Sequence, residues 1–369
     1  MARTNPLLIQ VLAQLKPGRC GVSDQAVLLA EELKSAFEIE TAFVVLNSNE
    51  RCSLPYPVIH SAPAQLLESC LTHCGNLPAA LLIHVSGYGY SRDGAPSLLA
   101  EAVAAVRGDG RFSIAAYFHE LFARGMPWQS AFWHSIRQQK AIRRIAESCD
   151  LVVTNTSDYA NWLERETTRR SSAPIRLMPV FSAAGESQSP APSSERDPTM
   201  VVFGLPASRQ RAYRRLLSEA GILKALGIEA IVDIGAESVA PAEVSGIPVS
   251  CRGALAIADL AGELSRARFG FLPHAATYLA KSSIFAAYCA QGTVPVISAP
   301  FDGEVDGLKD GVQLISPKTT DAAIASGLDR CSRAAWQWYY QHRIRAHAAT
   351  YALWLNQPSM PHQQKQAAI

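Results

Sequence analysis

Residues Ile247 to Ala299 read IPVSCRGALAIADLAGELSRARFGFLPHAATYLAKSSIFAAYCAQGTVPVISA, and the fold is decided there. Two apolar runs, Ile247-Pro-Val249 and Phe269-Gly-Phe-Leu272, read as buried strands. Between them Leu260, Leu264 and Ala267 recur at helical spacing. A loop runs from His274 to Ala280, and Lys281-Ser282-Ser283 then opens an apolar helix that stops at Gly292. Val294 to Ile297 is the next strand. This alternation builds a parallel sheet, and such sheets bind ligands at the carboxyl ends of their strands. A helix that begins Lys-Ser-Ser brings free backbone N–H groups, a positive dipole end and a cation to one place, which suits a phosphate or diphosphate. Ser282 or Ser283 is also a natural N-cap. Lys281 has no such structural duty, so a phosphate partner is expected for it.

The same alternation extends outward in both directions. Toward the N-terminus, strands are expected at Leu7–Leu12, Ala42–Leu46, Ala79–Val85, Phe112–Phe118, Leu151–Thr154 and Ile175–Pro179. Helices are expected over Ala64–Cys74, Ser97–Arg107, Trp128–Ser148 and Asp158–Glu166, with another capped by Ser23 or Asp24. Residues 183–198, AAGESQSPAPSSERDP, are too polar and proline-rich to bury much and read as a linker. A second series of strands begins at Met200–Phe203 and continues through Ala230–Ile234 to Val312–Ile315. From Thr320 to about Leu355 the pattern is helical and rich in aromatic residues, and the tail beyond is polar. The expected domains are 1–182, a linker at 183–198, 199–335, and a terminal helix and tail over 336–369.

Composition narrows the function. The chain has 369 residues, enough for two domains of ~150 to 200 residues. Apolar residues make up 48% and charged residues 18%, with a formal net charge of only +2. Bulk charge therefore gives no argument for a nucleic-acid partner, and none is expected. Arginine groups at Arg143-Arg144, Arg169-Arg170 and Arg209 to Arg215 read first as solvated surface. No run of 18 apolar residues suggests a spanning helix, and no signal peptide is read at the start. The eight cysteines are scattered, several in apolar contexts, as in a cytoplasmic protein. Cys70-Leu-Thr-His73-Cys74 has a metal-like look but lacks a second ligand pair. No Asp-x-Asp pair appears, so metal-independent chemistry without a cofactor is expected.

Polar residues just beyond apolar strands mark candidate chemistry. The loop Lys16-Pro-Gly-Arg-Cys-Gly21-Val-Ser follows the first strand, and its glycines allow close approach of a substrate. It is not a dinucleotide fingerprint. His119 and Glu120 follow the fourth strand. His119 is expected to take a proton from, or hydrogen-bond, a hydroxyl, with Glu120 orienting it or serving as the carboxylate itself. The loop His84-Val-Ser-Gly-Tyr-Gly-Tyr-Ser-Arg-Asp-Gly-Ala-Pro96 offers Tyr88 and Tyr90 for stacking on a sugar or other flat face and Arg92 for a phosphate or carboxylate. A rigid loop packed by its own aromatics fits as well. Asp302, Glu304 and Asp306 could touch a ribose or sugar hydroxyl, or simply form a turn.

The central stretch resembles the donor half of GT-B glycosyltransferases, in particular family 4. The matching residues are Gly253, Leu272-Pro273-His274, Ala290-Gln291-Gly292 and Pro295-Val296, with Val294 extra before the proline. The resemblance implies an α/β fold of two Rossmann-like domains facing an interdomain cleft, with the C-terminal helix of 336–369 expected to cross back to the first domain, the alternative being a helix packed on its own domain. It implies a nucleotide diphosphate sugar as donor substrate. It also implies donor contacts at Gly21, where Cys20-Gly21-Val22 keeps half of a family pattern, and at Arg209 or Arg211, which fill the family's arginine role. Lys281, Ser282 and Ser283 would complete the donor site. The paired glutamates of the family are missing: counting back from Gly292, their positions fall on Ala280 and Ala287. Glu304 is therefore of interest as a nearby carboxylate. The resemblance further supports His119 as an active-site residue and the Tyr-Gly loop as acceptor-binding, as in bacterial surface-polysaccharide biosynthesis. The implied activity is hexosyl transfer to a sugar, lipid-linked or protein acceptor, compatible with peripheral membrane association. The alternative is a catalytically degenerate GT-B protein that partners another glycosyltransferase. An epimerase on the same fold would need more carboxylates around its donor.

Overall fold

The computed structural model describes residues 7–50, 52–75, 77–123, 128, 130–168 and 175–357. The Arg169-Arg170 pair and the tail beyond 357 lie outside the described residues. The chain divides into two compact units, one of residues 1–178 and 344–369, the other of residues 179–343.

The first unit runs β1 (Leu7–Leu12), α1 (Gly21–Phe37), β2 (Thr41–Val45), β3 (Val58–His60), α2 (Leu66–Cys74), β4 (Ala79–Val85), α3 (Gly87–Tyr90), α4 (Ser97–Asp109), β5 (Ser113–Phe118), α5 (Ser130–Glu147), β6 (Leu151–Thr154), α6 (Ser157–Glu166) and β7 (Arg176–Leu177). Its seven strands are all parallel, in the order β3-β2-β1-β4-β5-β6-β7. Strands covered on both faces read as continuous apolar runs, which is why β1, β4 and β6 fall where the sequence pattern put them. The short strand β3 was not anticipated. Its three residues are only partly covered at the sheet edge, so no apolar run announces it. Cys70 and Cys74 are on the buried face of α2, where burial pushes the Cys70 thiol up to about 12.

The second unit runs β8 (Asp197–Phe203), α7 (Pro206–Ser218), α8 (Gly221–Ala225), β9 (Ala230–Ile234), β10 (Glu243–Val244), β11 (Ile247–Gly253), α9 (Ile257–Arg266), β12 (Ala267–Leu272), α10 (Ser283–Gln291), β13 (Val294–Ile297), α11 (Thr320–Ser326) and α12 (Leu328–Tyr340). A last helix, α13 (Ile344–Leu355), belongs to the first unit. The second sheet has the order β10-β11-β9-β8-β12-β13 and is parallel except for β10 against β11. Among the described residues no helix is long and apolar enough to cross a membrane.

Several expectations are revised here. β11, read as buried, is largely exposed, because only the two-residue β10 flanks its outer side. Val312–Ile315 is not a strand: Ile315 makes a single bridge to Val296 before the chain turns away. The helical region after Thr320 is broken at Gly327, whose φ of 91° no helix accepts, and again before Ile344. Residues 183–198 are tied into the second unit. Ser193 and Ser194 bind the Asp329 carboxylate, and the buried Arg196 donates to the carbonyls of Ala191 and Gln291.

Two features position the segment that carries the donor expectation. α10 is apolar all round and almost wholly buried, so it packs on both sides. It ends at Gly292 in the left-handed region, where Gly292 and Thr293 donate to the carbonyls of Cys289 and Tyr288. Tyr288 on this helix lies across Gly270 of β12, and its hydroxyl donates to the carbonyls of Val201 and Phe271 at 3.0 Å each. A Cβ on Gly270 would stand 2.3 Å from that ring.

Candidate functional site

In the second sheet the chain leaves β8 for β9 on one side and later returns to β12 on the other. Such a reversal opens a crevice at the strands' carboxyl ends, where open α/β sheets take ligands. β8 ends at Gly204, whose φ of 125° and closeness to Ile284 exclude a side chain. β12 ends at Pro273-His274, and a short 3₁₀ turn over Ala276–Lys281 leads into α10. Ser282 is the N-cap, its Oγ accepting the Phe285 N–H at 3.2 Å. Its carbonyl takes the Ala286 N–H. The N–H groups of Ser283 and Ile284 are the ones left for a ligand.

Two cations and an imidazole are the candidate ligand-binding side chains at this helix start. The Lys281 ammonium sits 4.4 Å from the centre of the Tyr278 ring. Arg211, exposed on α7, donates to Ser208 Oγ at 3.2 Å. His274 feels the charge of both: burial first, then the charges of Arg211 and Lys281, hold its imidazole below the ordinary range. Its buried Nδ1 has no hydrogen-bond partner among the described residues. A neutral imidazole, two cations and a helix N-terminus are suited to an anion that also offers a hydrogen-bonding group.

Other expected donor residues are placed elsewhere. Arg209 is a core residue with no exposure. Its guanidinium pairs with Asp233 and donates to the carbonyls of Gly204, Ala236 and Glu237, so every nitrogen is occupied inside the protein. The diphosphate role expected for it is overturned on that ground. Glu304 lies in an exposed turn and pairs with Lys309 at 3.1 Å. The turn is shaped by positive φ at Gly303, Asp306 and Gly307, and the Asp306 carbonyl takes the Trp338 indole N–H. Ala280 and Ala287 are both buried, the former also accepting the Val180 N–H.

In the first unit the reversal lies between β1 and β4. Cys20, not Ser23 or Asp24, is the N-cap of α1, and Gly21 is its first residue. Ser23 and Asp24 instead tie down the preceding loop, Ser23 accepting the Lys16 N–H and Asp24 the Gly18 N–H. The space beside Gly21 is open for 4 Å from a Cβ position.

His119 sits just past β5, 6% exposed, and its partner is another histidine. His119 Nε2 lies 3.0 Å from His84 Nδ1 on β4, and His84 Nε2 lies 2.7 Å from Gln10 Oε1 on β1. Gln10 Nε2 donates to the Ala26 carbonyl at 3.0 Å. Strand register explains the line-up: Gln10 pairs with Leu82 and His84 with Tyr117, so Gln10, His84, Tyr117 and His119 share one face of the sheet. Burial pushes the His84 imidazole down to about 3. Burial, then the neighbouring His84 and His347, holds His119 well below the ordinary range. Glu120, expected to orient His119, is exposed, and His84 takes that place.

The Tyr-Gly loop divides its labour. Tyr88 and Arg92 are exposed. Tyr90 turns inward, its hydroxyl donating to the His84 carbonyl at 2.9 Å, so it supports the strand that carries His84. Gln138 staples the loop, donating to the Asp93 carbonyl and accepting the Ala123 N–H, both at 2.7 Å. Gln10, His84 and His274 were not anticipated as site residues. Their signal in the sequence is a lone polar side chain within or just after an apolar strand.

No family model matches the chain, and no curated protein matches it by sequence. Solved structures match along nearly its whole length. An alpha-glucosyltransferase in complex with UDP has a TM-score of 0.58 at 12% identity, covering 94% of this chain and 98% of the other. That enzyme has also been solved with UDP-glucose and DNA containing an abasic site. An alpha,alpha-trehalose-phosphate synthase (UDP-forming) from Burkholderia vietnamiensis matches with a TM-score of 0.56 at 10% identity, covering 96% and 100%. The lipopolysaccharide outer core galactosyltransferase WaaB, in its apo form, gives 0.54 at 12%, covering 94% and 99%. At such identities the likeness is one of fold. The chain is α/β, with two sheets of mainly parallel strands flanked by helices, and has the GT-B fold.

Proposed function

We propose that the protein transfers a sugar from a nucleotide diphosphate sugar to an acceptor hydroxyl. The observation that carries this reading is the capped N-terminus of α10, directly preceded by Lys281, at the point where the second sheet reverses direction, with His274 under the charges of both Lys281 and Arg211. Such a site answers the main demand of the reaction, which is to stabilise the negative charge of the departing nucleoside diphosphate. Lys281 and Arg211 supply positive charge, and the Ser283 and Ile284 N–H groups supply directed donors. A protein of the same fold has been solved in complex with UDP, which supports a nucleotide as the ligand class. In the first unit, His119 is read as the group that meets a sugar hydroxyl, with Tyr88 and Arg92 as acceptor contacts. Neither a metal ion nor a cofactor is assigned a part. A sugar, lipid-linked or protein acceptor fits this reading, in the cytoplasm or at the membrane surface.

The test is a thermal titration with UDP-, GDP-, ADP- and dTDP-sugars. A ligand that binds only the folded state raises the melting temperature with the logarithm of its concentration. One nucleotide class should do so, and both Lys281→Ala and Arg211→Ala should diminish the shift. No shift with any donor would sink the proposal.

A second reading has its own observation. Ala280 and Ala287 put no carboxylate where the family resemblance expects two, and both are packed in the interior. A protein that binds the nucleotide sugar but serves as partner to an active transferase would look the same at Lys281. Donor binding without donor hydrolysis or transfer, across sugar, lipid and DNA acceptors, would favour it.

A further inference from the structure

We infer that Gln10 and His84 are positioning residues that hold His119 as the Nε2–H tautomer and so present its Nδ1 lone pair to a hydroxyl of the bound sugar. The inference rests on the reading of His119 as the sugar-facing group. The chain of hydrogen bonds has only one consistent direction. The Ala26 carbonyl can only accept, so the amide nitrogen of Gln10 must face it, at 3.0 Å. The Gln10 carbonyl oxygen therefore faces His84 and accepts from its Nε2–H, at 2.7 Å. A neutral imidazole carries one proton, so His84 Nδ1 is left as an acceptor. The His119 atom 3.0 Å away must then donate, which places the proton of His119 on Nε2. Nδ1 is the remaining acceptor, and the one side-chain hydrogen bond His119 makes among the described residues is through Nε2.

The cost of this arrangement argues that it does more than fill space. Gln10 has no exposure, His84 is 2% exposed, and both stand in strands otherwise made of aliphatic residues. Apolar side chains would pack such a face without any demand for matched donors and acceptors. Each polar atom here is satisfied in turn, from the α1 backbone across three strands to His119. Tyr90 fixes the same strand from the other end by donating to the His84 carbonyl. The histidine that ends the relay is the one with its outer nitrogen unengaged.

The experiment is long-range proton–nitrogen correlation on the full chain labelled with nitrogen-15 histidine at pH 7, which reads each ring nitrogen as protonated or bare. His84 and His119 should both be Nε2–H tautomers with bare Nδ1 atoms. Either ring as the Nδ1–H tautomer, or as the doubly protonated cation, would overturn the inference without any variant being made. Gln10→Met then removes the acceptor that sets the direction. The His119 tautomer should become mixed, and an unchanged His119 signal in the folded variant would equally overturn it. These readouts involve no nucleotide, so they stand apart from the transferase proposal. If transfer is measured, Gln10→Met should lower kcat by about tenfold or more while the donor KM holds. A change confined to KM would leave Gln10 a merely structural residue.

Discussion

Arg209 on α7 and Asp233 on β9 form a fully enclosed ion pair, with the Tyr213 hydroxyl donating to the second carboxylate oxygen at 2.9 Å. The pair shapes the rim of the candidate donor site, because the same guanidinium holds the Gly204 carbonyl and the 236–237 loop. Gly235 is obliged to be glycine there, since a Cβ would lie 2.5 Å from the Gly204 oxygen and 2.6 Å from Arg209 Nε. Removing Arg209 would strand a buried carboxylate. Arg209→Leu should therefore cost about 3–5 kcal/mol in urea denaturation. Arg211→Ala, two residues away but exposed, should stay within about 0.5 kcal/mol of the parent while weakening nucleotide binding. If the two variants were equally stable, the division of one arginine for structure and one for ligand would be wrong.

A pair of glycine substitutions tests the packing behind α10. Gly270→Ala drives a methyl into the Tyr288 ring, 2.3 Å from its nearest atom, and disturbs the hydroxyl that ties β8 to β12. It should destabilise by about 1–3 kcal/mol or more. Gly262→Ala, inside α9 with nothing within 4 Å, should instead stabilise by about 0.4–1 kcal/mol by restricting the unfolded chain. Opposite signs in the denaturation midpoints are the expected result.

The legible part of the fold was the part with a local signal. β4, β6, β9 and β13 are apolar runs that lie buried between layers, so their limits could be read from residue type alone. Ser282 as cap and Gly292 as stop followed from helix-end chemistry in the same way. The relay behind His119 had no local signal. Gln10 and His84 are 74 residues apart, and His84 and His119 are 35 apart, so only strand order and register bring them together. Arg209 and Arg211 illustrate the limit from the other side. Both stand in one basic run, and only the turn of α7 decides that one faces the core and the other solvent. His274 was visible as a residue, but the charges of Arg211 and Lys281 that act on it come from separate elements.

The alanine at 287 is expected to be locked in by its surroundings. It is 1% exposed on a helix whose residues from Phe285 to Gln291 are all buried. Ala287→Glu would force a carboxyl into that interior without a designed partner. A loss of about 3 kcal/mol or more is expected, with no gain in donor turnover. A variant as stable as the parent would mean that the site has room for the missing carboxylate, and the degenerate reading would lose its main support.

Acid should weaken the protein before its carboxylates titrate. Unfolded histidine has a pKa of about 6.5, whereas burial lowers that of His84 to about 3, and His119 and His274 are lowered as well. Above pH ~6.5 both the folded and unfolded chains hold these rings neutral, and the full stability is present. As the pH falls further, the unfolded chain binds protons that the folded chain refuses. Stability is then lost at up to about 1.4 kcal/mol per pH unit for each such ring, until the folded pKa is reached. Urea midpoints at pH 7.5, 6 and 5 should decline steadily. The double variant His84→Asn, His119→Asn should start lower at pH 7.5 but decline less steeply. An unchanged slope would place the acid sensitivity outside the relay and remove the evidence that these two rings are kept neutral by the fold.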